Sequence, residues 1–256
     1  MNFDYGSVLL AVGAAGAALC VTLIMNWLRQ KSSGFLATWA LAMAAIVSAV
    51  IAFSAMNDGG GLLMGLVGCV LLMVGFAIGH GGMIQFRDGT FPLRAVFAIA
   101  AIPSVPLVIV FAAGMDGLGI VLVNIFSTVI LLLSAVGYWR AREESVVAIT
   151  SISILHVMLA ASFFLCAVVG LVEAPLYLGT GSPQNWAEVV NLVCSVVAIT
   201  GIGGLFVTVH QERITRRHRV ASLTDPLTNL FNRRALFERY ETGDIPLGTA
   251  LIIFDL

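Results

Sequence analysis

Long apolar runs separated by short polar breaks dominate this chain. Seven such runs lie near 6–28, 34–56, 61–81, 94–114, 117–139, 146–172 and 187–209. An α-helix needs about 20 mostly apolar residues to cross the hydrocarbon core of a bilayer. The pattern therefore predicts an all-α polytopic membrane domain of seven transmembrane helices over residues 1–210.

Composition agrees with this prediction. Hydrophobic residues make up 59% of the chain, charged residues 11%, and the mean hydropathy is +1.01, all far from the averages of soluble proteins. The net charge of −1 favours no nucleic-acid partner, and none is expected. The first run has no basic residues before it, so it is predicted to remain as a membrane helix and not to be cleaved as a signal peptide. All four cysteines lie inside apolar runs and are predicted to be small buried hydrophobes: Cys20, Cys69, Cys166 and Cys194.

The charges in the breaks predict an orientation. If the N-terminus lies outside, the alternate cytoplasmic breaks and the C-terminal segment hold all thirteen basic residues, as the positive-inside rule requires. The cytoplasmic set is Arg29, Lys31, Arg87, Arg94, Arg140, Arg142, Arg213, Arg216, Arg217, Arg219, Arg233, Arg234 and Arg239. The outer breaks hold Asp4, Asp58, Asp116 and Glu173. The sequence therefore predicts a multi-pass protein with its N-terminus outside and its C-terminus in the cytoplasm.

Polar residues inside the apolar runs are the candidate sensor residues, because such groups are costly in hydrocarbon. His156 lies near the middle of the sixth run. It is predicted to be a neutral imidazole bonded to a Ser, Thr or Asn of a neighbouring helix, with a ligand contact as the alternative. Glu188, at the outer end of the seventh run, is the best candidate for reading a periplasmic signal, with capping of its helix beside Asn185 as the alternative. Asn124 and Asn191 are predicted to bond between helices.

The third run is rich in glycine. Gly61 and Gly65, and then Gly75 and Gly79, are spaced four residues apart. Small residues at this spacing predict a face on which two helix backbones approach closely.

Two cofactor classes are disfavoured by the sequence. A haem bound by two histidines needs both at the same depth on facing helices. His80 is predicted at the cytoplasmic, water-accessible end of the third span, so it is not expected to match the depth of His156. A retinal protein needs a lysine within the membrane, and the only lysine, Lys31, lies in a break.

The most specific motif follows the apolar runs. Residues 222–240 read SLTDPLTNLFNRRALFERY, and residues 250–256 read ALIIFDL, an apolar segment predicted to be a strand. This segment resembles the beginning of a GGDEF domain, the diguanylate cyclase module of bacterial signalling proteins. The matching residues are Asp225, Leu227, Thr228, Leu230, Asn232, Arg233, Arg234 and Phe237, whereas Asn229 stands where the family has glycine.

The resemblance implies an α/β nucleotidyl-cyclase-like domain that begins within residues 222–256. In the family, GTP is bound with Mg²⁺ and two domains face each other in a homodimer. Two GTP molecules then give cyclic di-GMP and two pyrophosphates. The first Asp of the family's Asp-x-Asp pair and the next backbone carbonyl bind the metal, and the corresponding residues here are Asp255 and the carbonyl of Leu256. The remaining catalytic and substrate-binding residues would lie beyond Leu256, so the chain is expected to be an inactive fragment of a longer product.

Residues 207–224 are predicted to form a cytoplasmic linker helix that either transmits a signal between dimer partners or contacts anionic lipid. The resulting prediction is a membrane-bound diguanylate cyclase in the bacterial inner membrane, regulated by its N-terminal membrane domain. The alternatives are a non-catalytic receptor with a degenerate GGDEF domain, a GGDEF domain followed by an EAL phosphodiesterase, and, less favoured, a transporter. Against the transporter, no charged pair and no inverted repeat with broken helices is evident in the runs.

Overall fold

The computed structural model describes residues 5–31, 33–173, 181, 183–225, 227, 228 and 230–240. The chain consists of two compact units, Met1–Val209 and His210–Leu256. We call them the membrane unit and the C-terminal unit, and each is described by itself.

Long α-helices occupy almost all of the described residues. They are α1 Tyr5–Arg29, α2 Gly34–Ala55, α3 Gly61–Asp88, α4 Leu93–Ala112, α5 Asp116–Arg140, α6 Val146–Glu173, α7 Trp186–Leu223 and the short α8 Arg233–Tyr240. The first seven begin close to the starts of the predicted apolar runs, so the helix prediction is confirmed. The largest difference is that α3 ends seven residues later than its run, whereas the continuation of α7 to Leu223 confirms that the predicted linker segment 207–224 is helical. No strand occurs among the described residues, and the predicted strand at 250–256 lies outside them.

Six stretches of helix in the described residues are long and apolar enough to cross a membrane. One of them is the 55-residue stretch Gly34–Asp88, which contains both α2 and α3. A straight helix of that length would measure about 80 Å, far more than the roughly 30 Å of a hydrocarbon core. The stretch is interrupted by the π-helical turn Met56–Gly60, where Gly59 has φ +100°, and by Gly61 with φ +63°. The apolar helices make the chain a multi-pass membrane protein.

The helices α2 and α3 pack side by side in opposite directions. A Cβ atom added to successive α3 glycines would meet α2 residues in descending order: Gly65 meets Met56, Gly68 meets Phe53, Gly75 meets Ile46 and Gly82 meets Trp39. The predicted small-residue face is therefore confirmed for Gly65, Gly75 and Gly79. It is wrong for Gly61, whose positive φ places it in the turn that starts α3.

The core of the membrane unit is built around a cluster of aromatic rings. Three of its rings, Trp39 of α2, Tyr138 of α5 and Phe206 of α7, are each no more than 6% exposed. The ring centroids lie 4.6 Å apart in the Trp39–Phe206 pair and 5.8 Å apart in the Tyr138–Phe206 pair. By contrast, many large apolar side chains on α1, α4 and α6 are exposed, for example Leu10 and Phe97 at 73% each. Such an apolar exterior suits contact with lipid.

Candidate functional site

A mostly apolar cavity of about 140 Å³ lies inside the membrane unit. Six of its polar lining residues fall into two groups. The histidine end consists of His80, Ser134 and His156, and the glutamate end consists of Asn124, Glu188 and Asn191. Asn124 and Ser134 both belong to α5 and are ten residues apart, which corresponds to about 15 Å along a helix. The cavity therefore has polar groups at two levels with apolar walls between them.

At the histidine end, His80 of α3 is bonded to Ser134 of α5. His80 Nδ1 and Ser134 Oγ are 2.9 Å apart, and the Ser134 hydroxyl donates to the backbone oxygen of Ile130 at 2.9 Å. A hydroxyl has one proton to donate, so Nδ1 of His80 must be the donor of the first bond. The other ring nitrogen, Nε2, then carries a lone pair. These two bonds assign the tautomer of His80.

The same tautomer follows for His156 of α6. Its Nδ1 lies 2.8 Å from the backbone oxygen of Ile152, and a carbonyl can only accept, so Nδ1 carries the proton. A ring held at Nδ1 by its own helix directs Nε2 away from that helix. The Trp39 and Tyr138 rings lie 6.0 and 5.2 Å from the His156 ring, centroid to centroid, and limit its rotation.

These positions correct two sequence-based expectations about the histidines. The predicted bond from His156 to a Ser, Thr or Asn of another helix is wrong, because the partner is a carbonyl of α6 itself. His80 is not at a helix end: α3 continues to Asp88 and His80 is only 9% exposed. The two histidines line one cavity. The cavity nevertheless remains far below the roughly 300–1,000 Å³ of pockets for larger ligands, so a haem does not fit.

At the glutamate end, Glu188 lies in the first turn of α7. Asn185 Oδ1 accepts a hydrogen bond from the Glu188 backbone N–H at 3.1 Å, so the side chain that caps α7 is that of Asn185 and not that of Glu188. Glu188 lines this end of the cavity together with Asn124 of α5 and Asn191 of α7. Asn191 Nδ2 donates to Ser162 Oγ at 3.0 Å, which confirms the predicted bond between helices.

The hydrogen-bonded pair of Trp39 and Tyr138, whose rings lie beside His156, could not be predicted from the sequence. Trp39 Nε1 donates to the Tyr138 hydroxyl at 3.1 Å, and both side chains are buried. Aromatic residues within an apolar run look like ordinary packing residues, and these two are 99 positions apart. The only signal was that buried Trp and Tyr need partners for their polar atoms.

We expect Tyr138→Phe to destabilise the membrane unit by about 1–3 kcal/mol, because it leaves the buried Trp39 N–H without its acceptor. Unfolding by SDS in mixed micelles, followed by circular dichroism, measures the change. The double variant Trp39→Phe/Tyr138→Phe removes both polar atoms and should lose less than the sum of the two single variants. Additive losses would contradict a direct bond.

The GGDEF-like segment has a defined local structure in the C-terminal unit. Asp225 Oδ1 accepts bonds from the Thr228 N–H at 2.9 Å, the Leu227 N–H at 3.0 Å and the Thr228 hydroxyl at 3.1 Å. These donors, the Thr228 backbone first, lower the pKa of the Asp225 carboxyl below its usual value. Asn232 Oδ1 caps α8 by accepting from the Ala235 N–H at 3.1 Å, while Asn232 Nδ2 donates to the Ser222 oxygen at 2.8 Å.

The proposed metal ligands cannot be placed by the structure. Asp255 and Leu256 lie outside the described residues, so the Mg²⁺ site stays a prediction. Among the residues that are described, no group of three or more His, Cys, Asp and Glu side chains could hold a metal ion.

Comparisons with known proteins assign no family to the chain. No protein-family model, no curated protein and no solved structure matches it. The function is therefore argued from the motif, the helices and the cavity.

Proposed function

We propose that this chain is the membrane input region, with the beginning of the GGDEF domain, of a bacterial membrane-bound diguanylate cyclase. The reaction converts two GTP to cyclic di-GMP and two pyrophosphates. The observation that carries the proposal is the set of GGDEF-like identities at their spacing in residues 222–240.

The local structure of the motif supports the proposal. Asp225, Thr228 and Asn232 are three of the matching identities, and each has a distinct task in one turn and the helix after it. A short acceptor at 225, a hydroxyl donor at 228 and a capping amide at 232 explain why these residue types stand at this spacing.

The exposed apolar side chains of the C-terminal unit offer further support. Leu227 is 94% exposed, Phe231 75% and Phe237 55%. Large apolar side chains grouped on so small a unit favour a covering partner. The sheet of a GGDEF domain is the partner that the motif implies.

The proposed topology has seven membrane crossings, with the N-terminus outside and the C-terminus in the cytoplasm of the bacterial inner membrane. Because α2 and α3 pack in opposite directions, the stretch Gly34–Asp88 supplies two crossings. Arg29, Arg87 and Arg140 then stand in the last turns of α1, α3 and α5. The positive-inside rule assigns that common end to the cytoplasm, where GTP is available.

Alkaline phosphatase fusions test this topology. Fusions after Asp58 and Asp116 should be active because these positions face the periplasm, whereas fusions after Lys31 and Arg142 should be inactive. Green fluorescent protein at the same four positions should give the opposite pattern and serves as the control. Equal activity after Lys31 and Asp58 would contradict a crossing by α2.

In the proposed mechanism, two chains form a homodimer and each complete GGDEF domain binds one GTP with Mg²⁺. Asp255 and the Leu256 carbonyl would hold the metal, which supplies charge neutralisation at the phosphates. Facing domains align one nucleotide's 3′-hydroxyl with the other's α-phosphate, so productive geometry depends on how the domains meet. The membrane unit would shift the population of dimer geometries through residues 207–224.

The deciding experiment determines the coding sequence after codon 256 and assays the complete product with GTP and Mg²⁺. Formation of cyclic di-GMP together with an intact GG[DE]EF loop supports the proposal. A complete domain without product would leave a receptor with a degenerate GGDEF domain. Hydrolysis of cyclic di-GMP by a following EAL domain would make the protein a phosphodiesterase.

A further inference from the structure

The histidine end of the cavity presents two hydrogen-bond acceptors. The bonds of His80 and His156 described above both use Nδ1 as donor, so each Nε2 carries a lone pair. His156 is only 2% exposed and His80 9%. A buried acceptor without a donor is costly in an apolar interior, so this end of the cavity favours a ligand with a donor.

The rest of the cavity favours a small, uncharged, aromatic or aliphatic body. Its walls between the polar ends include Phe76, Phe163, Leu159 and Ile199. The Phe76 and Phe163 rings meet edge to face with centroids 5.6 Å apart. The volume of about 140 Å³ is close to the roughly 150 Å³ of a dry apolar cavity that binds one benzene molecule.

We propose that the cavity binds one small lipid-soluble phenol, whose hydroxyl group donates its one proton to Nε2 of His156. The aromatic ring of the ligand occupies the apolar part of the cavity. The lipid phase supplies such a molecule directly, since the cavity lies among the helices that face lipid. The binding rests on the cavity alone, whereas its role as the input to cyclic di-GMP synthesis rests on the proposed function.

Other occupants fit the described residues less well. A hydrocarbon of the same size has no donor for either nitrogen, whereas the phenol has one for Nε2 of His156. A metal ion finds no group of three ligating side chains among the described residues. A water molecule could donate to these nitrogens, but it would occupy only the polar end and leave the apolar part of the cavity empty.

The test compares two ligands of nearly the same shape on the intact chain in detergent micelles. Fluorine NMR measures the binding of 4-fluorophenol and of 4-fluorotoluene, in which a methyl group replaces the hydroxyl. We expect saturable binding of one 4-fluorophenol per chain, about five- to tenfold tighter than 4-fluorotoluene, the effect of one buried hydrogen bond. Equal affinities, or no saturable binding of 4-fluorophenol, would overturn the proposal; in the second case water is the donor.

Variants locate the binding at the histidine end. His156→Phe keeps a ring and removes the acceptor, so the preference for 4-fluorophenol should disappear. Ser127→Ala is the matched control: Ser127 is buried on α5 and donates to the Val123 oxygen at 2.7 Å, but does not line the cavity. The control should keep the preference. If His156→Phe does not fold, the ligand pair on the unaltered chain still decides, and none of these measurements needs GTP or an active cyclase.

Discussion

Gly75→Leu is expected to destabilise the membrane unit by about 3 kcal/mol, at the upper end of the usual cost of overpacking. A Cβ atom at Gly75 would lie 2.6 Å from Cγ1 of Ile46, 3.2 Å from the backbone oxygen of Ala42 and 3.3 Å from the backbone nitrogen of Ile46. Two of these three atoms belong to the backbone of α2, so no change of side-chain rotamer can move them away. The larger side chain must therefore separate α2 from α3.

The matched control for this prediction is Gly204→Leu. Gly204 lies within the helix α7, and a Cβ atom there would meet nothing within 4 Å. Leucine is the better helix former by roughly 0.8 kcal/mol, so the control should be neutral or slightly stabilising. SDS unfolding in mixed micelles measures both variants. A Gly75→Leu protein as stable as the control would show that α2 and α3 do not approach this closely.

Asp255→Asn in the complete product is expected to lower cyclic di-GMP synthesis by about 100-fold or more, since a metal ion contributes several kcal/mol and each 1.4 kcal/mol is tenfold. Asparagine has nearly the same shape as aspartate but lacks its charge, so the loss would report on metal binding and not on packing. This prediction rests on the resemblance, because Asp255 lies outside the described residues.

The metal dependence separates this role from a structural one. If Asp255 binds the metal, the variant should need a higher Mg²⁺ concentration for half-maximal activity, whereas a structural role would lower activity at every concentration. Glu238→Gln is the control: Glu238 pairs with Arg219 and Arg234 at 3.3 Å on the surface of the C-terminal unit, and its loss should change activity little. Wild-type activity of Asp255→Asn would contradict the proposed ligand.

Helix positions were predictable because they depend on local sequence. A run of apolar residues that crosses a bilayer must pair its backbone N–H and C=O groups with one another, because the hydrocarbon core offers no water. The α-helix is the structure in which one segment alone can form these hydrogen bonds. The run near 117–139 became Asp116–Arg140, and the run near 146–172 became Val146–Glu173. The largest difference at a helix end is in α3, which continues past its apolar run to Asp88.

The cavity was only partly predictable, because it depends on which helix faces meet. His156 and Glu188 stood out in the sequence as ionisable groups within apolar runs, and both line the cavity. The partner of His156 was predicted wrongly since the carbonyl of its own helix competes with side chains of other helices. The Ser134 partner of His80 is 54 positions away and no local pattern connects them.

By itself, the sequence determined the membrane class and the helices, since hydropathy acts along the chain. Gly61 and Gly75 each stand four residues before another glycine. The tertiary structure alone decided that Gly61 lies in a turn with positive φ, whereas Gly75 packs against α2. It also decided that His80 and His156 share one cavity and that both use Nδ1 as donor. The physical reason is that close approach and hydrogen-bond partnership depend on atoms of different helices, which the order of residues does not bring together.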